Sequence, residues 1–134
     1  MGDMSATSKV RIMLVEDHIA FRQALAFVLT HDEPDLEVVA QVGSLAEARE
    51  ALEGPLDGHL DVVAVVDLGL PDGDGRELFG ELHRANPSIS IVVLSATLEA
   101  GHLEEVVKAG ADAVLEKVVS SLSLASEVRR VVGG

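Results

Sequence analysis

The chain has 134 residues, 48% of them hydrophobic, and a formal net charge of −13. That length suits one domain around one core, and the acidity argues against a stand-alone nucleic-acid binder or a polybasic membrane patch. With no Cys, Trp or Tyr, disulfides, thiolate metal sites and thiol catalysis are excluded, and the core must be aliphatic.

In chain order, short apolar runs alternate with helical periodicities five times. "VRIMLV" (10–15) reads as a strand, and Phe21, Leu25, Val28 and Leu29 then form one stripe of a helix. "LEVVAQV" (36–42) is a second strand, followed by "SLAE" (44–47), a capping-box sequence in which Ser44 and Glu47 satisfy each other's backbone donors. Leu45, Ala48 and Leu52 line the helix it opens. "DVVAVVD" (61–67) is a near-continuous apolar strand, as expected when both faces of a parallel sheet are covered. A helix over 75–85 turns Leu78 and Leu82 inward and stops at Pro87. "SISIVVLS" (88–95) is strand four, and Leu103, Val106 and Val107 form a stripe that ends at Gly110, a C-cap. "ADAVLEK" (111–117) is the fifth strand, and Leu124, Val128, Val131 and Val132 mark a last helix.

Five βα units predict an α/β fold: a doubly wound, five-stranded parallel sheet with helices on both faces. Ligands of such sheets lie outside the carboxyl ends of the strands, at the topological switch point. With strand order 2-1-3-4-5, Glu16 and Asp17 after strand one face Asp67 after strand three. Ser95 and Lys117, at the ends of strands four and five, close the crevice. Three carboxylates together repel one another and raise each other's pKa. A hard cation such as Mg²⁺, which takes oxygen ligands, relieves that. Asp67 is then the carboxylate placed to act as a nucleophile towards phosphorus, Lys117 and Mg²⁺ neutralise charge, and Ser95 donates to a phosphoryl oxygen.

The motifs "LVEDH", "VVDLGLPDGDG", "VVLSA" and "AGADAVLEK" resemble the receiver domain of two-component response regulators, over about residues 9–132. "EDH" and "EPDLEVVAQV" are most similar to the NarL/FixJ-type subfamily. The resemblance implies a flavodoxin-like (βα)5 fold and a phosphoaspartate at Asp67. It also implies Mg²⁺ on Glu16, Asp17, Asp67 and the Gly69 carbonyl, with Ser95 as switch hydroxyl and Lys117 as phosphate-pairing cation. A sensor histidine kinase would donate the phosphoryl group. An output domain or downstream protein would read the switch, controlling transcription, and phosphorylation would favour a homodimer.

Two positions depart from the family pattern. Val114 stands where a switch aromatic is usual, so the signal is expected to leave through the loops after strands four and five and a neighbouring helix. Val118 replaces a frequent Pro, and a cis bond there would cost about 2.5–4 kcal/mol, so trans is expected. Glu16, in place of the commoner Asp, adds one methylene and still reaches the metal, directly or through water.

Taken singly, each site residue has a plainer reading: Asp67 a turn former, Glu16 and Asp17 first-turn acids, Ser95 a strand cap, Lys117 a solvated lysine. Their co-location in one crevice reverses that reading. His18 is read as a positioning residue, and His31, His59, His83 and His102 as scattered and exposed. "DGDG" (72–75) fails as a Ca²⁺ loop, because Glu77 and His83 occupy the positions that require Gly and Glu.

Two other functions compete with the switch. A Mg²⁺-dependent phosphohydrolase would also use Asp67, but Gly69 stands where many such enzymes place an acid/base Asp. A pseudo-receiver would bind protein without phosphorylation. Residues 1–8 are expected to be a disordered segment without a signal peptide, and the protein cytoplasmic, with no membrane span and no enzymatic turnover beyond self-phosphorylation and self-dephosphorylation. No helix-turn-helix pattern follows the last helix, so no output domain or direct DNA contact is ascribed to these residues. A single-domain regulator and a receiver cut from a transcription factor both fit, the second better.

Overall fold

The computed structural model describes residues 9–31, 33–53 and 61–133. The expectations for residues 1–8 and for His59 lie outside them. Strands β1 (Val10–Val15), β2 (Leu36–Val42) and β3 (Val62–Asp67) are followed by two-residue strands β4 (Gly69–Leu70) and β5 (Gly73–Asp74), then β6 (Ser90–Ser95) and β7 (Ala113–Glu116). The helices are α1 (Ile19–Thr30), α2 (Leu45–Ala51), α3 (Phe79–Ala85), α4 (Ala100–Ala109) and α5 (Ser120–Gly133). The main sheet has the order β2-β1-β3-β6-β7, with every pairing parallel. This is the expected 2-1-3-4-5 arrangement.

The central strands explain themselves. All six residues of β3 are buried, and alternate side chains point to opposite faces. Ala64 and Val66 join Met13, Val15, Ile91 and Val93 against Leu45 of α2, Phe79 and Leu82 of α3 and Val106 of α4. Val63 and Val65 join Ile12, Leu14, Val92 and Leu94 against Leu25 and Leu29 of α1 and Leu124 and Val128 of α5. Each fully buried Leu, Ile or Val contributes about 1.5–3 kcal/mol relative to exposure, so this double layer fixes where the strand ends sit. Arg129 of α5 adds a tie at the sheet edge, donating to Asp35 at 2.8 Å and to Glu33 ahead of β2.

Several expectations need correction. The predicted strands shorten to 62–67, 90–95 and 113–116, and the predicted helix over 75–85 splits into a 3-10 turn (Gly75–Leu78) and α3. The β4–β5 hairpin was not predicted. Val107 does not face inward: it is 54% exposed, and Val106 alone of its stripe is fully buried. Gly110 does end α4, at φ 127°, a left-handed value that favours glycine. In the capping box Ser44 accepts from Glu47 N at 3.1 Å, but the Glu47 carboxylate accepts from Gly43 N rather than from Ser44 N. Among the described residues, no helix is long and apolar enough to cross a membrane, and no peptide bond is cis.

Candidate functional site

The carboxyl ends of β1 and β3 are neighbours because the two strands pair directly, Val15 opposite Val66. The next residue of each chain segment is therefore delivered to the same place. Glu16 is 1% exposed. Its Oε2 accepts from His18 N at 3.0 Å, while Arg22 Nη1 donates to the Glu16 carbonyl at 2.9 Å. Asp17 is exposed. The His18 imidazole accepts from Phe21 N and so caps α1, a positioning role as expected.

Asp67 is buried at the end of β3, with Oδ1 accepting from Gly69 N at 3.2 Å. Lys117 comes across from the turn after β7 and donates to Asp67 Oδ2 at 2.9 Å and to Glu16 Oε2 at 3.2 Å. Its Nζ also lies 5.1 Å from the centre of the Phe21 ring, a cation–π contact. One ammonium thus bridges two buried carboxylates. Burial pushes the Glu16 carboxyl above its ordinary pKa, and the nearby Asp67 charge adds to this, against the opposing hydrogen bonds from His18 N and Lys117. For Lys117 burial works the other way, but hydrogen bonds and charge from Asp67 and Glu16 outweigh it and hold the ammonium above its ordinary pKa.

The arrangement has the chemistry of a hard-cation site. Oxygen atoms of Glu16, Asp17 and Asp67 lie within 4.8 Å of one another. Glu16 Oε1 lies 3.1 Å from Lys117 Nζ as an ion pair, but as a buried acceptor it receives no hydrogen bond. Such an atom is costly to leave unsatisfied, and an added cation would satisfy it.

A cavity of about 390 Å³ opens above these groups, lined among others by Asp17, Asp67, Gly69, Ser95, His102 and Lys117. Glu16 is not among the lining residues and meets the site through Lys117. Ser95 is 4% exposed at the end of β6. The structure therefore brings together Glu16, Asp17, Asp67, Ser95 and Lys117, the positions the strand-end reasoning named, and places Gly69 beside them. It adds His102, expected to be exposed but in fact half-buried, with Nε2 3.0 Å from Ser95 Oγ. Nothing in the spacing of Ser95 and His102 announces that contact, because it depends on how α4 leaves the sheet.

The "DGDG" segment serves the scaffold. Asp72 accepts from Leu45 N and Ala46 N at 2.8 and 3.0 Å, capping α2 from the hairpin. Asp74 caps the following 3-10 turn and pairs with Arg76. Gly75 is required by close approach: a Cβ there would lie 2.6 Å from the Asp67 carbonyl oxygen and 2.8 Å from Val66 Cγ1. Val118 is 81% exposed and Val114 half-buried.

Comparison with known proteins agrees with the geometry. Residues 12–129 match the response regulator receiver domain, and the chain belongs to that family of two-component signalling modules. It is 33% identical over 125 residues to the DNA-binding transcriptional activator DevR/DosR of Mycobacterium tuberculosis, covering 93% of this chain and 55% of that protein. It is 35% identical over 125 residues to the transcriptional regulatory protein UhpA of Salmonella typhimurium, covering 93% of this chain and 60% of that protein. The chain thus spans a little over half the length of these curated relatives. In fold it is similar to the signal receiver domain of the response regulator NarL from M. tuberculosis, with a TM-score of 0.81, 24% identity, and coverage of 95% of this chain and 98% of that one.

Proposed function

We propose that this domain, residues 9–132, accepts a phosphoryl group on Asp67 and passes the event on as a change of surface. The observation that carries the reading is Lys117 bridging Asp67 and Glu16 in a cavity that Asp17, Gly69 and Ser95 also line or border. A carboxylate held at a strand end beside a fixed ammonium is positioned for phosphoryl transfer, where catalysis is mostly placement and charge neutralisation. In the step itself an Asp67 oxygen forms a bond to phosphorus as the P–N bond of a phosphohistidine on a sensor kinase breaks. The imidazole leaves, and the product is an acyl phosphate. Hydrolysis of that acyl phosphate returns the carboxylate, so the chain turns over only its own modification.

Glu16, Asp17 and Asp67, with the Gly69 carbonyl, would hold Mg²⁺, which neutralises charge on the transferring group. Lys117 would follow the Asp67 oxygens onto the phosphoryl group, and the Ser95 hydroxyl would donate to another of its oxygens. Partners of matching chemistry are a cytoplasmic histidine kinase domain, a second copy of this domain, and an output domain of the kind DevR/DosR and UhpA carry as transcriptional regulators.

Calorimetric titration with beryllofluoride, an acyl-phosphate mimic, tests the reading. Binding is expected only with Mg²⁺ present and is expected to vanish in Asp67→Asn. Binding that persists in that variant, or no binding by the native chain, would overturn the assignment and favour a phosphorylation-independent module.

A further inference from the structure

The connection from β6 to α4 contains a contact that acceptance of phosphate at Asp67 does not use. Ser95 Oγ lies 2.8 Å from the Thr97 carbonyl, 3.3 Å from Thr97 N and 3.0 Å from His102 Nε2. A hydroxyl carries one hydrogen and two lone pairs. With its hydrogen on the Thr97 carbonyl, its lone pairs accept from Thr97 N–H and from an Nε2–H of His102. All of its hydrogen-bonding capacity is then spent on the α4 side of the crevice.

The residues engaged here also anchor the start of α4. Thr97 Oγ1 accepts from Glu99 N at 3.2 Å, whereas Glu99, at the cap position, makes no side-chain cap of its own. A Cβ at Gly101 would meet nothing within 4 Å. Val106 is the one fully buried residue of this helix, and Leu98 ahead of it is 44% exposed. The first turn of α4 is therefore held lightly by packing, and the Ser95–Thr97–His102 cluster is a substantial part of what fixes it to the sheet.

We propose that His102 is a latch, a positioning residue that holds the Ser95 hydroxyl toward α4 in the resting domain. This rests on the reading of Asp67 as phosphoacceptor. A phosphoryl oxygen on Asp67 and the Thr97 carbonyl, in the loop ahead of α4, compete for one hydroxyl hydrogen. When the phosphoryl group takes it, Ser95 leaves the Thr97 carbonyl, His102 loses its aligned partner, and the first turn of α4 is free to move. The latch gives this chain a route from acceptor to surface that needs no large ring at position 114, where it has Val114.

Two measurements on the full chain test the latch. In the ¹⁵N-labelled protein without ligand, Ser95→Ala is expected to move the His102 Nε2 resonance, and an unmoved resonance would overturn the contact. In calorimetry with beryllofluoride and Mg²⁺, His102→Ala is expected to tighten binding about five-fold, the equivalent of one neutral hydrogen bond no longer competing. His102→Gln, which keeps an N–H at similar reach, is expected to stay within about two-fold of the native affinity. In a Ser95→Ala background, His102→Ala is expected to change nothing. Unchanged or weakened binding in His102→Ala, or a gain that survives without the Ser95 hydroxyl, would overturn the latch while leaving Asp67 as acceptor. A native chain that binds no beryllofluoride would instead sink the acceptor reading, and the latch with it.

Discussion

On the β1 and β3 side of the crevice the polar groups are set in rigid surroundings. Glu16 is 1% exposed, Asp67 is 7% exposed, and Lys117 ties the two together. Directly beneath them lie β3, buried along its whole length, and β1, buried from Ile12 to Val15. On the β6 and α4 side the polar contacts run through a loop, Ser95 to Thr97 to Glu99, and end on a helix with a single fully buried residue. Large apolar side chains there face solvent, Leu98 at 44% and Val107 at 54% exposure. One side is built to hold reacting groups still, and the other to rearrange at low cost, as local stability varies with buried contacts.

Substitutions matched across the crevice sharpen this contrast. The largest effect is expected from Gly75→Ala on the rigid side, where the new methyl would overlap the Asp67 carbonyl and Val66. Overpacking of this kind costs about 1–3 kcal/mol, and urea unfolding should show a loss at the upper end of that range. A variant as stable as the native chain would mean that the hairpin yields freely. Next comes Lys117→Met, which leaves Glu16 buried without its cation. Breaking a buried pair costs about 3–5 kcal/mol, but the Lys117 side chain is 30% exposed, so screening and solvent access reduce the expected loss to about 2 kcal/mol. On the movable side Gly101→Ala meets open space inside a helix and should stabilise by about 0.5–1 kcal/mol. A destabilised Gly101→Ala would show that α4 is packed more tightly than its exposure implies.

The smallest expected effect concerns pH. Burial holds the Glu16 carboxyl above its ordinary value of 4.5 in the folded chain, so between 4.5 and the folded pKa the native state binds more of this proton than the unfolded chain does. Stability from this group is therefore highest below pH 4.5 and falls as pH rises through the folded pKa. Lys117, raised above 10.5, contributes stability that is fully present below that pH and lost as pH climbs through its folded value. Urea midpoints measured from pH 4 to 7 should decline less, relative to the native chain, in Glu16→Gln. Parallel profiles for the two proteins would contradict the burial of a strained carboxyl.

Much of this division was legible in the residues themselves. Val63 to Val66 form an unbroken apolar run because β3 is covered on both faces, so strand, order and the terminal Asp67 could be read together. Glu16, Ser95 and Lys117 were found by the same rule, each standing at a strand's carboxyl end. What the sequence concealed depends on how segments approach in space. The β4–β5 hairpin has only two residues per strand, too few to leave a periodicity. Asp72 looks like part of a turn and acts as a cap for a helix 26 and 27 residues earlier. Val106 and Val107 are equally apolar, and only the rotation of α4 against the sheet decides which is buried. His102 reads as a surface histidine because nothing local marks its partner.

The central claim, that Asp67 is a phosphoacceptor supported by the groups around it, is tested most directly by intact mass after incubation with acetyl phosphate and Mg²⁺. The account predicts one phosphoryl adduct on the native chain, lost when Mg²⁺ is chelated and absent from Asp67→Asn. A native chain that gains no adduct, or an Asp67→Asn chain that gains it equally, would contradict the account.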